Sequence, residues 1–154
     1  MLVALLTVAC GGRAEEHLLR GYFDACAAAD DVALANVALV TLDPKRDGAV
    51  GHFRLAGISA PRRRPASTSS HVTRLSLADP LHSHDDTTAT LVSRTVTLRA
   101  QVHRAGTVAE RPIEVTIERA ETGGAVGRWI VVRLVLDGRI VPAASSGRQS
   151  GTAP

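Results

Sequence analysis

The hydrophobic and polar positions are organised around one stretch near the C-terminus, Gly127-Arg128-Trp129-Ile130-Val131-Val132-Arg133-Leu134-Val135-Leu136-Asp137. Its β-branched and aliphatic side chains lie between Gly123-Gly124 and Asp137-Gly138, which predicts a strand between two turns. Simple alternation puts Ile130, Val132, Leu134 and Leu136 on one face. The other face then carries Trp129, Val131, Arg133 and Val135, apolar apart from one charge. A strand apolar on both sides calls for a central place in a sheet with a cover. Two upstream runs alternate more cleanly. Val92, Val96, Leu98, Ala100 and Val102 oppose Ser93, Thr95, Thr97, Arg99, Gln101 and His103, and Ile113, Val115 and Ile117 oppose Glu114, Thr116 and Glu118. Short turns join the three runs, Ala105-Gly106-Thr107 being the first, so they predict an antiparallel meander.

The N-terminal half supplies the cover. Over 14–29, Leu18, Leu19, Tyr22, Phe23 and Cys26 recur at three- and four-residue spacing, the stripe of an amphipathic helix. Glu15 and Glu16 fall in its first turn, where negative charge suits the helix dipole. Asp30-Asp31 ends it and caps a second helix over 32–40. Leu42 to Gly48 is a turn by composition, and 49–58 predicts a strand of imperfect alternation. Pro61-Arg62-Arg63-Arg64-Pro65 and the serines after it predict a solvated loop. Val72 to Leu77 reads as a short edge strand ended by Asp79-Pro80, and His82 to Thr88 as a second loop. Residues 142–154, small, polar and rich in Gly and Ser, predict a disordered tail.

Composition narrows the picture in two respects. A chain of 154 residues with 45% hydrophobic content is one domain with a sizeable core. Aromatics make up only 3%, so that core is aliphatic. The net charge of +3 would fall to zero without the Arg62-Arg63-Arg64 run, and no aromatic interleaves with that run for base stacking. Nucleic acid is therefore not an expected partner. The start of the chain changes the picture more. Met1 to Ala9 is too short to span a bilayer but has the length of a signal-peptide apolar core. Thr7-Val8-Ala9-Cys10-Gly11-Gly12 resembles a bacterial lipobox, although Thr7 stands where leucine is usual and no Lys or Arg precedes the apolar run. The resemblance implies a diacylglyceryl anchor on Cys10, two acyl chains being enough for stable attachment. The chain then divides into a signal segment at 1–12, an α+β domain at 13–141 and the tail. The same resemblance implies that the membrane is a partner through Cys10 and that the location is the cell envelope. The plain alternative is a frayed apolar N-terminus or a strand.

A helix pair, a weaker middle and a curled meander ending in a Gly-Arg-Trp strand together resemble the nuclear transport factor 2-like fold, which includes the SnoaL-like proteins. Leu18-Leu19-Arg20-Gly21-Tyr22-Phe23-Asp24-Ala25-Cys26 and Gly127-Arg128-Trp129-Ile130-Val131 carry the resemblance. It implies a cone, in which a bent antiparallel sheet wraps the first helix. Its members range from isomerases and dehydratases to non-catalytic binders, so the fold implies no activity.

Candidate chemistry is sparse, and no catalytic set, cofactor or metal site is assigned. His82-Ser83-His84-Asp85-Asp86 offers metal-ligand types and is faintly similar to the His-rich run of metallo-β-lactamase-like hydrolases. Thr87 replaces the final histidine, and a polar loop is the simpler explanation. Acid–base chemistry in a cone would draw on Tyr22, Asp24, His52, His103 or Arg133. Tyr22 is expected to pack its ring in the core with its hydroxyl at the rim, and Arg133 either to pair with Glu114 or Glu118 or to orient an anion. Cys26 reads as a small core residue, its disulfide with Cys10 being open only if Cys10 carries no lipid. Tyr22, Trp129 and Arg133 are the candidate ligand contacts. The expectation is an exported, lipid-anchored domain that binds a small ligand or a protein without catalysis, with a homodimer through the sheet compatible. The alternative is a small SnoaL-like acid–base enzyme.

Overall fold

The computed structural model describes residues 12–67, 70–77, 89–123 and 125–143. Cys10 and the His82–Asp86 cluster lie outside them, as does the expected tail beyond Ala143. Helices α1 (Gly12–Ala28) and α2 (Asp31–Val37) come first, then β1 (Ala49–Ile58), β2 (Arg62–Ala66) and α3 (His71–Leu77). The long strands β3 (Ala89–Arg104) and β4 (Thr107–Thr122) follow, then β5 (Ala125–Val126), β6 (Ile130–Leu136) and β7 (Arg139–Ile140). The fold is α+β, with three helices on a seven-stranded antiparallel sheet among the described residues.

The β3–β4 hairpin is the spine, paired without interruption from Thr90↔Glu121 to Arg104↔Thr107. Each of its outer edges carries two shorter strands. β1 and β2 divide the edge of β3, while β5 and β6 divide that of β4. β7 closes the far side. The hairpin turn uses Ala105 and Gly106 at φ 48° and 79°, the left-handed pair of a type I′ turn.

α1 buries Leu19, Tyr22, Phe23 and Cys26 against the sheet, the stripe its spacing predicts. They meet Val96, Leu98 and Ala100 of β3, Ile113, Val115 and Ile117 of β4, and Leu134 and Leu136 of β6. Each such Leu or Ile is worth roughly 1.5–3 kcal/mol when fully buried. α2 is shorter than the sequence suggests. Asp30 caps it, its Oδ1 accepting from Ala33 N at 2.9 Å, but the helix stops at Val37. Ala38 turns extended, and Leu39 N donates to Val131 O at 2.8 Å, so the next residues serve the sheet edge instead.

Three further expectations need correction. Arg62-Arg63-Arg64-Pro65 is strand β2 and not a loop. The long β3 exposes hydrogen-bonding groups that β1 leaves free, and Pro65 is tolerated because β2 lies at an edge. The segment expected as an edge strand at Val72 to Leu77 is helix α3. Ser70 caps it, its Oγ accepting from Thr73 N at 3.1 Å, and this local bond outweighs the β-preference of Val72 and Thr73. Finally, Ile130, Val132, Leu134 and Leu136 do not share one face. The register runs Thr116↔Arg133 and then Ile117↔Val131, so Val132 is the extra residue of a bulge. Val131, Leu134 and Leu136 therefore enter the main core. Ile130 turns to the opposite face with Ala89, Leu91 and Ala120, buried residues of the strands that flank α3's contacts with β4 and β6.

α3 is held by Gly127. Ser76 Oγ donates to Arg128 O and accepts from Ala120 N, both at 2.8 Å, while Gly127 N donates to Ala120 O at 2.8 Å. A Cβ on Gly127 would lie 2.2 Å from Ser76 Oγ. The glycine that opens the Gly-Arg-Trp run is thus required by the close approach of α3.

Candidate functional site

Two polar groupings break the face that carries α1, one at each end of the β3–β4 hairpin. The first surrounds a cavity of about 380 Å³ where the loop before β1, the hairpin turn and the β6–β7 turn converge. Its charged wall is Arg46, Asp47, Arg104, Arg111, Asp137 and Arg139, over a floor that includes Val102 and Leu136.

Local geometry explains how these residues meet. Asp43 folds the loop by accepting from Lys45 N at 2.9 Å, and Asp47 N returns a bond to Asp43 O at 2.7 Å. Gly48 then lets the loop lie directly on β3. Its φ is +93°, and a Cβ there would stand 2.6 Å from Val102 Cγ1. On the other side, Asp137 and Gly138 take φ 51° and 76°, a second type I′ turn that brings Arg139 back toward the loop.

Asp47 anchors the wall. Its side chain is fully buried, and four donors reach it. Arg46 Nε and Arg139 Nη2 bond Oδ1 at 3.0 and 2.7 Å; Arg46 Nη2 and Asp43 N bond Oδ2 at 2.7 and 3.2 Å. These fill the roughly four lone-pair positions of a carboxylate. The hydrogen bonds from Arg46 first, then those from Arg139 and Asp43, outweigh burial and hold the carboxyl at about 2. Arg111 makes only a loose pair with Asp137 at 3.7 Å, both half exposed. Arg104 is exposed and has no carboxylate partner among the described residues.

The second grouping surrounds Trp129. The Arg119 and Arg94 guanidinium carbons lie 4.6 and 5.8 Å from the ring centroid, cation–π positions. Arg94 Nη1 donates to Glu15 Oε1 at 2.6 Å, and Arg119 Nη2 to Glu121 Oε1 at 2.8 Å. Glu121 also accepts from Arg63. The Glu15 side chain is only 3% exposed, and its Oε2, with Arg94 Nε and Arg119 Nε, has no partner among the described residues.

The structure separates the three ligand contacts named from the sequence. Tyr22 is wholly buried, so its hydroxyl does not reach the rim as expected; its ring lies 5.2 Å from that of Phe23, and the hydroxyl has no partner among the described residues. Burial, with the neighbouring Cys26, raises its pKa far above the usual tyrosine range. Trp129 lies at the second grouping. Arg133 is exposed opposite Thr116, on the face away from the main core, and makes no ion pair with Glu114 or Glu118. Glu118 pairs instead with Arg64 at 3.1 Å, a partner supplied by the strand β2 that the sequence did not reveal. Asp24, His52 and His103 are exposed. Cys26 is buried and unbridged, and burial raises its thiol pKa. Among the described residues no three His, Cys, Asp or Glu side chains converge as a metal site would need, and no helix is long and apolar enough to cross a membrane.

Sequence reasoning missed the arginine wall and Glu15. Arg104 and Arg111 each lie close to a turn, but nothing in one dimension joins them to Arg46 and Arg139. Glu15 had a usable signal, standing four residues before Leu19 on the buried stripe. No protein-family model matches the chain, and no curated protein or solved structure matches it.

Proposed function

We propose that this chain is a non-catalytic ligand-binding domain of the cell envelope, tethered by a lipid on Cys10 and built as a nuclear transport factor 2-like cone. The cavity at the turn end of the sheet is its ligand site, and that cavity is the observation that carries the reading. The order of helix pair, short strands, third helix and long hairpin supports the cone. The lipobox-like run, whose Cys10 stands two residues before the start of α1, supports the tether. Binding without catalysis is favoured because the buried acid of the site, Asp47, is engaged on both oxygens and held ionised by arginine, so near neutral pH it has no proton to give and is a weak base.

Native mass spectrometry of the full chain in detergent tests both parts. The expected spectrum has a chain that begins at Cys10 and carries a diacylglyceryl increment, both abolished by Cys10→Ala, and a small-molecule adduct on the folded protein. An unmodified Cys10 in protein recovered from the soluble fraction overturns the tether. A folded protein that retains no adduct, and acquires none from an extract of its cells, overturns the ligand site.

A further inference from the structure

Resting on the reading of that cavity as a ligand site, we infer that its ligand is a small free oxyanion carrying two or more negative charges, of the phosphate or polycarboxylate class. Arg104 and Arg111 are its principal contacts, and the Arg46–Asp47–Arg139 cluster is the fixed rear wall.

Charge comes first. Among the described residues four arginines face two aspartates across the cavity, a formal excess of two positive charges. The two aspartates are not equivalent. Asp47 is buried and its oxygens are occupied by Arg46, Arg139 and Asp43, so its role is to fix two guanidinium groups in place. Each guanidinium has five N–H donors, and Asp47 engages two from Arg46 and one from Arg139. The others remain available to an acceptor in the cavity. Asp137 is a weak competitor, because its pair with Arg111 is long at 3.7 Å and half exposed on both sides, the kind of surface ion pair that contributes little. An incoming anion can therefore take Arg111 from Asp137 at small cost. Arg104 needs no such exchange.

Shape and lining set the class. A volume of about 380 Å³ is near the lower end for small-molecule sites. Among the described residues no aromatic side chain lines it, and its apolar floor is a few short aliphatic side chains. A large apolar ligand would bury little area there. A compact oxyanion matches the planar donor forks of several arginines at once, where recognition is bidentate and charge-assisted. Because the guanidinium groups are partly exposed, screening by salt must be strong.

Isothermal titration of the full chain with inorganic pyrophosphate and with citrate, at low and at physiological salt, tests this. At least one should bind, with affinity falling tenfold or more in Arg104→Ala and in Arg111→Ala, and falling again as salt rises. Arg99→Ala, an exposed arginine of β3 on the opposite face, should leave binding unchanged. Circular dichroism of each variant confirms that it is folded before its affinity is compared. Binding that persists in Arg104→Ala/Arg111→Ala, or that Arg99→Ala weakens equally, overturns the inference. So does binding to phosphatidylglycerol vesicles with none to either free anion. Absence of anion binding while native spectra still carry a neutral or cationic adduct overturns the oxyanion and leaves the ligand site standing. Absence of both removes the two together.

Discussion

Gly127 and Asp47 carry the sharpest consequences of single residues. Gly127→Ala places a methyl group 2.2 Å from Ser76 Oγ and within 3.0 Å of two backbone carbonyls, so either α3 or β4 must move. Overpacking of this kind costs about 1–3 kcal/mol. Chemical denaturation should record a loss in that range, with added loss of protection at the Ala120 amide in hydrogen exchange. Asp47 makes a pH-dependent contribution. Its folded pKa of about 2 lies below the unfolded value near 4, so the stabilisation is fully present above about pH 4. It fades as pH falls through about 2, when the carboxyl protonates in the folded state as well. The difference corresponds to about 2 kcal/mol. Asp47→Asn should therefore be less stable than the parent by about that much at pH 7, with the gap closing toward pH 2. A gap that is constant across that range would show that the carboxylate charge is not what its arginine partners stabilise.

At the scale of elements, the bulge in β6 decides which side chains reach the core. Leu134 is fully buried beneath α1, whereas Val132, the extra residue, is only half buried. Leu134→Ala should cost about 2–5 kcal/mol and Val132→Ala less than about 1.5 kcal/mol, read from midpoints in urea. Equal losses would mean that strict alternation holds and that the bulge is absent. α3 makes a related point. Its seven residues are too few to be stable as an isolated helix, so its form depends on the Ser70 cap and on docking through Ser76. Val72 and Thr73 favour a strand by propensity, but Ser70, three residues before Thr73, was a legible cap signal. β2 had no such signal. Three consecutive arginines and a proline become a strand because β3 extends beyond β1 and offers an edge.

For the whole molecule, the face that carries α1 is apolar in its middle and charged at both ends. Arg94 and Glu15 tie α1 to the sheet at the end opposite the cavity. Arg94→Ala would leave the buried Glu15 carboxylate without its cation, a change worth about 3–5 kcal/mol in comparable pairs. Thermal denaturation should show that loss, and Arg94→Ala with Glu15→Gln should recover part of it. The sequence by itself determined the α+β class, the stripe of α1, the span of β1 and the long β3–β4 hairpin. Each rests on periodicity or turn chemistry within a few residues, which the chain carries locally. It also determined that Cys26 and Tyr22 face inward, since both lie on that stripe. Tertiary structure alone decided the strand form of β2, the face assignments of β6 and the partners of the charged side chains. Those depend on which edge is left open and on register across strands. The cavity belongs with them. Arg46, Arg104, Arg111 and Arg139 are scattered along the chain, and only two tight turns and the approach permitted by Gly48 bring their charges around one buried carboxylate.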